Sequence, residues 1–524
     1  TGRREERTWI EIDNGSVTFH NADDLWGTRV TECQSLLAEK MSSKRGCDIK
    51  FGKLCIGPAG ENLVRYSAVI SDERAAGRTG MGAVLGWKNV KAIAVCGNHD
   101  TPVHDPSATK KWCQKWFRYL RNHPLTGNQL PRMGTAGLVS SMQMRGLLAT
   151  KNYTEGRFEH FDKVNGETLA EEYNIVNKGC LSCPIKCART VTVEGEDVKG
   201  PELETLGLLG GGILNKDLYH ILKWNKELDD LGLDTISASN TLAYAMEANE
   251  RGLWNNGLKF GDIEGISKIW DDIAYRRGIG NELAEGSKRL SEKYGGKEFA
   301  MQSKGLELAA YEPRRAVGQG LGYAVSNRGG HLNGGYLVIL EGLGLNIDAQ
   351  TPHSKADFTM MFQDLMEMIS ATGQCLFTSY AFFPGFLITR PNGAIATAAN
   401  KLLPHLGWAI RLMNKFPRVL AFHLPVFHHT KMMQKAVGMP MTFGKYLQTG
   451  ERGFNLERAV NVRFGVSAAK DSLPKRLTDV PQDPNDPRTR VPLEQMKKIY
   501  YQARGWDKSG IPTCRTLKKL KIAR

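Results

Sequence analysis

Three cysteines, Cys180, Cys183 and Cys187, stand within eight residues in C-x2-C-x3-C spacing. Thiolates this close repel one another unless a cation binds them, so the run points to a metal or an iron–sulfur cluster. A [4Fe–4S] cluster takes four ligands, and the fourth must come from elsewhere in the chain. Cys375, after Gly373-Gln374, is the candidate, and Cys514 near the C-terminus is its competitor. Zinc is usually held by two C-x2-C pairs or by Cys with His. No second C-x2-C exists, and the next His on the C-terminal side is His220. The spacing therefore favours iron–sulfur over zinc, and both over three unrelated core cysteines. Cys33, Cys47, Cys55, Cys96 and Cys113 are scattered and read as small buried hydrophobes or inert thiols. The ten cysteines are not spaced as a disulfide scaffold.

Other stretches carry acid–base or anion-binding chemistry. Glu202 and Glu204 follow Pro201 and either begin a helix or serve proton transfer; the helix start is the safer reading. In Asp229-Asp230-Leu231-Gly232-Leu233-Asp234, Gly232 breaks one helix, and Asp234 or Thr235 caps the next. His331 has glycines on both sides, which would leave room for a bulky group to approach the imidazole. The stretch 77–86 holds Gly77, Gly80, Gly82 and Gly86, with Arg78, Lys88 and Lys91 nearby. Its backbone N–H groups could approach an anion. It is neither a P-loop nor G-x-G-x-x-G after a strand, and taken alone a tight structural turn is the better reading.

These residues need elements to hold them. Residues 8–20 alternate around Asp13-Asn14-Gly15-Ser16 as a hairpin, and 48–58 and 92–95 read as further strands. From about 105 the pattern turns helical, with 101–180 loop-rich around an apolar stripe of Trp112, Trp116 and Phe117. Helices are expected over 217–230, from 235 to about 252, as a pair over 267–295 around Gly278 and Gly280, and over 357–375. A length of 524 residues implies two or three domains. No apolar run reaches membrane-spanning length, and no signal-peptide pattern opens the chain at Thr1. The net charge of +15 invites a nucleic-acid reading, yet no such motif accompanies it. A solvated basic surface able to attract an acidic redox partner fits better.

In this order the segments IGPAGENLVRYS, AAGRTGMGAVLGWKNVKAIAV, GCLSCPIKC, GPELET, DDLGLDTIS, AYEPR, GLGYAVSNRGGHL and YYQARGWDKSGIPT resemble the tungsten-containing aldehyde ferredoxin oxidoreductases across nearly the whole chain. The resemblance implies an α+β fold: a β-rich N-terminal pterin-binding domain over 1–102, followed by two mainly α-helical domains over 103–300 and 301–524. It implies a tungsten (or molybdenum) bis-pyranopterin, a [4Fe–4S] cluster on Cys180, Cys183, Cys187 and Cys375, and Mg2+ bridging the pterin phosphates. Arg78, Gly80 and Gly82 match the loop beside those phosphates. Asp229, Gly232, Leu233 and Asp234 match the motif at one pterin, and Ser370 and Gly373 its counterpart at the other. Glu204 and His331 match the carboxylate and imidazole near the metal.

The implied activity is interconversion of small aldehydes and carboxylic acids in the cytoplasm, with ferredoxin as electron partner. No nucleic acid and no membrane are expected, and a homodimer or an additional subunit is left open. Two alternatives stand beside it: a benzoyl-CoA-type aromatic thioester reductase subunit of the same family, and a pterin-free iron–sulfur electron-transfer subunit. The second arises because the family's first glycine-rich strands have no counterpart before Thr1, so the chain reads as lacking its N-terminal part. In addition, D-x-x-G-x-C is here Ser370-Ala371-Thr372-Gly373-Gln374-Cys375. Serine is shorter than aspartate and uncharged.

Overall fold

The computed structural model describes residues 2–45, 50–343, 347–416 and 427–522; Cys47 lies outside them. The chain forms two compact units, Thr1–Thr101 with Val191–Ala300 and Pro102–Thr190 with Met301–Arg524. It is a mixed α+β protein.

The first unit is built on a six-stranded sheet. Its strands are β1 (Thr8–Asp13), β2 (Ser16–Asn21), β3 (Gly52–Ile56), β4 (Val69–Ser71), β5 (Arg74–Ala76) and β6 (Val90–Cys96), in the order β2-β1-β6-β3-β4-β5. The hairpin expected at Asp13–Ser16 joins β1 to β2 with Asp13 opposite Ser16. β6 runs parallel to β1 and antiparallel to β3.

A helix over Val30–Arg45, α1, departs from the β-rich reading of the first hundred residues. Val30, Cys33, Leu37 and Met41 recur at helical spacing and join a core with Trp9, Cys55, Ile70 and Ala92. Cys33, Cys55 and Cys96 are thus buried, and the neighbouring Cys33 with burial pushes the Cys55 thiol far up, keeping it protonated.

Glycines let backbone lie directly on backbone here. A Cβ at Gly57 would overlap the carbonyl of Leu231, and one at Gly86 would overlap that of Gly60. The weave is stitched by Ala68 N to Gly232 O at 2.7 Å, Gly82 N to Ser67 O at 3.1 Å and Asp234 N to Tyr66 O at 3.0 Å. Lys91, fully buried, is held by the Glu61 carboxylate and by Thr28 O at 2.9 Å. It serves this core and faces no anion loop.

In the second unit the helix Lys355–Ala371 is central, packing against Gly407–Lys415, Phe443–Arg463 and Leu493–Arg504. The helical stripe expected at Trp112, Trp116 and Phe117 lies on a 17-residue helix, Pro106–Asn122. Its Trp116 stacks on His428, with ring centroids 5.8 Å apart. His429 lies against Phe427 and Trp116, and its Nε2 is 2.8 Å from the Thr378 hydroxyl. Burial drives His429 down to about 3 and His428 to about 4.

Two predictions follow from this packing. Gly86→Ala forces backbone apart and lowers stability by about 3 kcal/mol in chemical denaturation. Unfolded histidines bind protons below pH ~6.5, whereas folded His429 stays neutral, so stability falls as pH drops from 6.5 towards 4. Its share between pH 7 and 4.5 is about 2–3 kcal/mol. His429→Gln flattens that slope in melts taken across pH.

Candidate functional site

The site residues of the first unit meet at the glycine weave. The helix Leu218–Leu231 ends in a left-handed Gly232 (φ 74°), with Gly232 N bonded to Asp229 O at 3.1 Å and Leu233 N to Leu228 O at 2.8 Å. Asp229 therefore sits in the last turn. Its carboxylate lies 3.4 Å from Lys199 Nζ, and burial holds it above the ordinary carboxylate range despite that lysine. Leu233 bridges Ser67. Asp234 caps Thr235–Glu250, accepting from Ile236 N, Ser237 N and the Ser237 hydroxyl.

Arg78 Nε donates to Asp234 Oδ2 at 3.1 Å, which joins the glycine loop to the aspartate motif. Gly80 is left-handed (φ 73°) before the helix Met81–Trp87, and a Cβ there would overlap Arg65 O. Gly82 lies on the Ala68 carbonyl. Both glycines admit the chain's own backbone. Glu204 is in the first turn of Leu203–Leu209, as the helix-start reading holds. The next residue, Thr205, has its hydroxyl 3.1 Å from that of Thr235, beside Asp234. Arg78, Gly80, Gly82, Glu204, Asp229, Gly232, Leu233 and Asp234 thus belong to one neighbourhood.

In the second unit the cysteine loop curls through two left-handed non-glycine residues, Ser182 (φ 58°) and Lys186 (φ 47°). Cys180 is exposed, while Cys183 and Cys187 are half-buried against the core. Cys375 precedes the short helix Leu376–Phe382. Partial burial pushes its thiol up, backbone N–H groups of Phe377 and Thr378 oppose this, and the Cys183 and Cys180 thiols add to it. Cysteines almost 200 residues apart in sequence are therefore within electrostatic reach. Among the described residues no three His, Cys, Asp or Glu side chains converge on a single ion. A polynuclear cluster, each iron taking one thiolate, sets its cysteines wider than a mononuclear chelate does.

The motif before Cys375 repeats the helix ending of the first unit. Gly373 is left-handed (φ 67°), Gly373 N bonds Ser370 O at 3.1 Å, and Gln374 N bonds Ile369 O at 3.1 Å. Ser370 thus occupies the place in its turn that Asp229 occupies in the other.

His331 begins the turn Leu332–Gly334, and its Nδ1 accepts from Asn333 N at 3.2 Å. In the neutral ring the proton is then on Nε2. Gly329 and Gly330 make room for backbone, packing on the carbonyls of Ser303 and Leu306. A cavity of about 40 Å³ opens instead between His331, Ser370, Asn327, Asn333, Glu367 and Glu457. Glu367 is raised by burial and by Glu457, against Arg328 and Arg504. Neither glutamate belongs to a sequence motif, and the one available signal is that Glu367 stands a helical turn before Ser370.

Residues 1–97 match the family model described as aldehyde ferredoxin oxidoreductase, N-terminal domain, and residues 111–522 match that for domains 2 and 3. The first match does not support reading the chain as lacking its N-terminal part. A tungsten-containing aldehyde ferredoxin oxidoreductase of Thermococcus kodakarensis is 36% identical, over 97% of this chain and 79% of its own length. One of Pyrococcus furiosus is 36% identical over 100% of this chain and 81% of its own length. A solved structure, the active site complex BamBC of benzoyl coenzyme A reductase with 1,5-dienoyl-CoA, shares the fold. It has a TM-score of 0.75 at 21% identity, over 99% of this chain and 80% of that one. The chain is an oxidoreductase and belongs to the aldehyde ferredoxin oxidoreductase family.

Proposed function

We propose that the protein interconverts aldehydes and carboxylic acids in the cytoplasm, using a tungsten (or molybdenum) bis-pyranopterin and a [4Fe–4S] cluster, with ferredoxin as electron partner. The observation that carries this reading is the meeting of Cys375 with Cys180 and Cys183 in one electrostatic neighbourhood. Mutual repulsion among these thiols is relieved when iron binds them, and the N–H groups of Phe377 and Thr378 aimed at Cys375 favour its thiolate form. Cys187 would complete the set. The division into 1–102, 103–300 and 301–524 belongs to the same reading.

For the pterins, the donor set fits in kind. Asp229 and Ser370 stand at equivalent helix ends, and the Arg78 guanidinium, beside Gly80 and Gly82, would pair with phosphate groups, whose own oxygens would take Mg2+. When bound, the metal–pterin supplies two-electron oxidation and the cluster single-electron exchange. The chain's own residues would handle protons. Glu204 has the chemistry of a general base for an attacking water, and His331, with its proton on Nε2, that of a proton donor. Overall, aldehyde and water would give acid, two electrons and two protons.

Anaerobically purified protein should contain about four Fe per chain together with W or Mo. Iron without either metal would point to an electron-transfer subunit, and zinc alone would refute the reading. Cys375→Ala should lose iron and visible absorbance. Glu204→Gln and His331→Asn should each slow aldehyde oxidation by about 100-fold or more with W and Fe retained. Turnover of benzoyl thioesters but not aldehydes would replace the proposed substrate.

A further inference from the structure

The two helix endings that repeat one another differ in one chemical respect. Three residues before the left-handed glycine, the first carries the Asp229 carboxylate and the second the Ser370 hydroxyl. A carboxylate accepts two parallel N–H bonds, whereas a lone hydroxyl cannot.

The surroundings of Ser370 are nevertheless rich in acceptors. Asn327 donates through Nδ2 to Phe454 O at 2.9 Å and to Glu457 Oε2 at 3.1 Å, and its buried Oδ1 has no partner. Asn333 Oδ1 is likewise buried without one. Gln363, on the same wall, is already engaged: Nε2 on Gly334 O, Oε1 by Tyr500 and Arg504. Glu367 and Glu457 add two carboxylates, with Arg328 the cation of the lining. Such a cavity is complementary to a guest edge offering N–H donors. About 40 Å³ admits one water or the amino edge of a larger ring system.

Glu367 and Ser370 are three apart on the helix Lys355–Ala371, so both side chains lie on one face, and both line this cavity. Gly453 on the facing helix gives the carboxylate room, since a Cβ there would stand 2.9 Å from Glu367 Oε1. Resting on the bis-pterin reading above, we infer that Glu367 supplies the carboxylate that Ser370 lacks, accepting N–H bonds from the amino-pyrimidinone edge of the second pterin.

The test uses the full chain and reads cofactor content, not turnover. Tungsten and iron are measured by elemental analysis and pterin by fluorescence of its released oxidised form. Glu367→Gln should lower W and pterin per chain about tenfold, in line with loss of a charge-assisted hydrogen bond, while iron stays at the wild-type level. Adding Ser370→Asp to Glu367→Gln should restore both. Wild-type W and pterin in Glu367→Gln overturn the inference. So does loss of iron together with tungsten that Ser370→Asp does not repair, which marks Glu367 as a packing residue. Wild-type protein without W, Mo or pterin would overturn the bis-pterin reading itself, and is thereby distinguishable.

Discussion

A helix stopped by a left-handed glycine is the device that positions the candidate residues within each unit. Stopping at Gly232 turns the chain so that Asp234, two residues on, caps the next helix and receives Arg78. Stopping at Gly373 turns it into Cys375, two residues on, which lies within electrostatic reach of Cys180 and Cys183. In each case the residue three before the glycine is fixed in the last turn by its carbonyl's bond to the glycine N–H. A side chain at either glycine would strain that backbone and displace residues on both sides of it. At Gly232 the demand is doubled, because its backbone also lies on Gly57.

The two units reach precision by different routes. In the first, main chain packs on main chain, and the peptide bonds of residues 57–68, 82 and 232–234 exchange hydrogen bonds. Little side-chain freedom remains to blur the positions of Arg78 and Asp234. In the second, the central helix is locked by buried charge pairs and aromatic packing. Arg504 binds Asp364, and Arg458 grips Asp471 through two bonds of 2.9 and 2.8 Å. Breaking one partner of such a pair leaves a buried charge, so these contacts fix the helix's position as much as they stabilise it. Glu367, Ser370 and Cys375 inherit that fixed position.

Local signals were legible and the purposes of glycines were not. The hairpin at Asp13–Ser16, the cap at Asp234 and the helix start at Glu204 are set by neighbours a few residues away, and sequence shows those neighbours. Helix α1 was also visible in the spacing of Val30, Cys33, Leu37 and Met41, but the strands around it dominated the reading. Gly329 and Gly330 could equally have admitted a ligand or another stretch of backbone. A missing Cβ says only that something comes close, and here Ser303 and Leu306 do. Glu367 and Glu457 escaped because their partnership spans 90 residues and follows from two helices packing face to face.

Net charge is a coarse signal for a related physical reason. The excess of +15 is uneven along the chain: no Asp or Glu occurs between Glu367 and Glu451. That stretch holds eight Lys and Arg, and so accounts for eight of the fifteen net charges. Elsewhere several cations never meet solvent: Lys91, Arg314, Lys355, Arg458 and Arg504 are buried, each beside a carboxylate. Buried and paired, they contribute little to the field outside the protein, which comes from exposed residues such as Arg390, Lys401 and Lys415. A chain can thus carry a nucleic-acid binder's isoelectric point while its buried cations serve the core and just over half of its net charge lies in one segment.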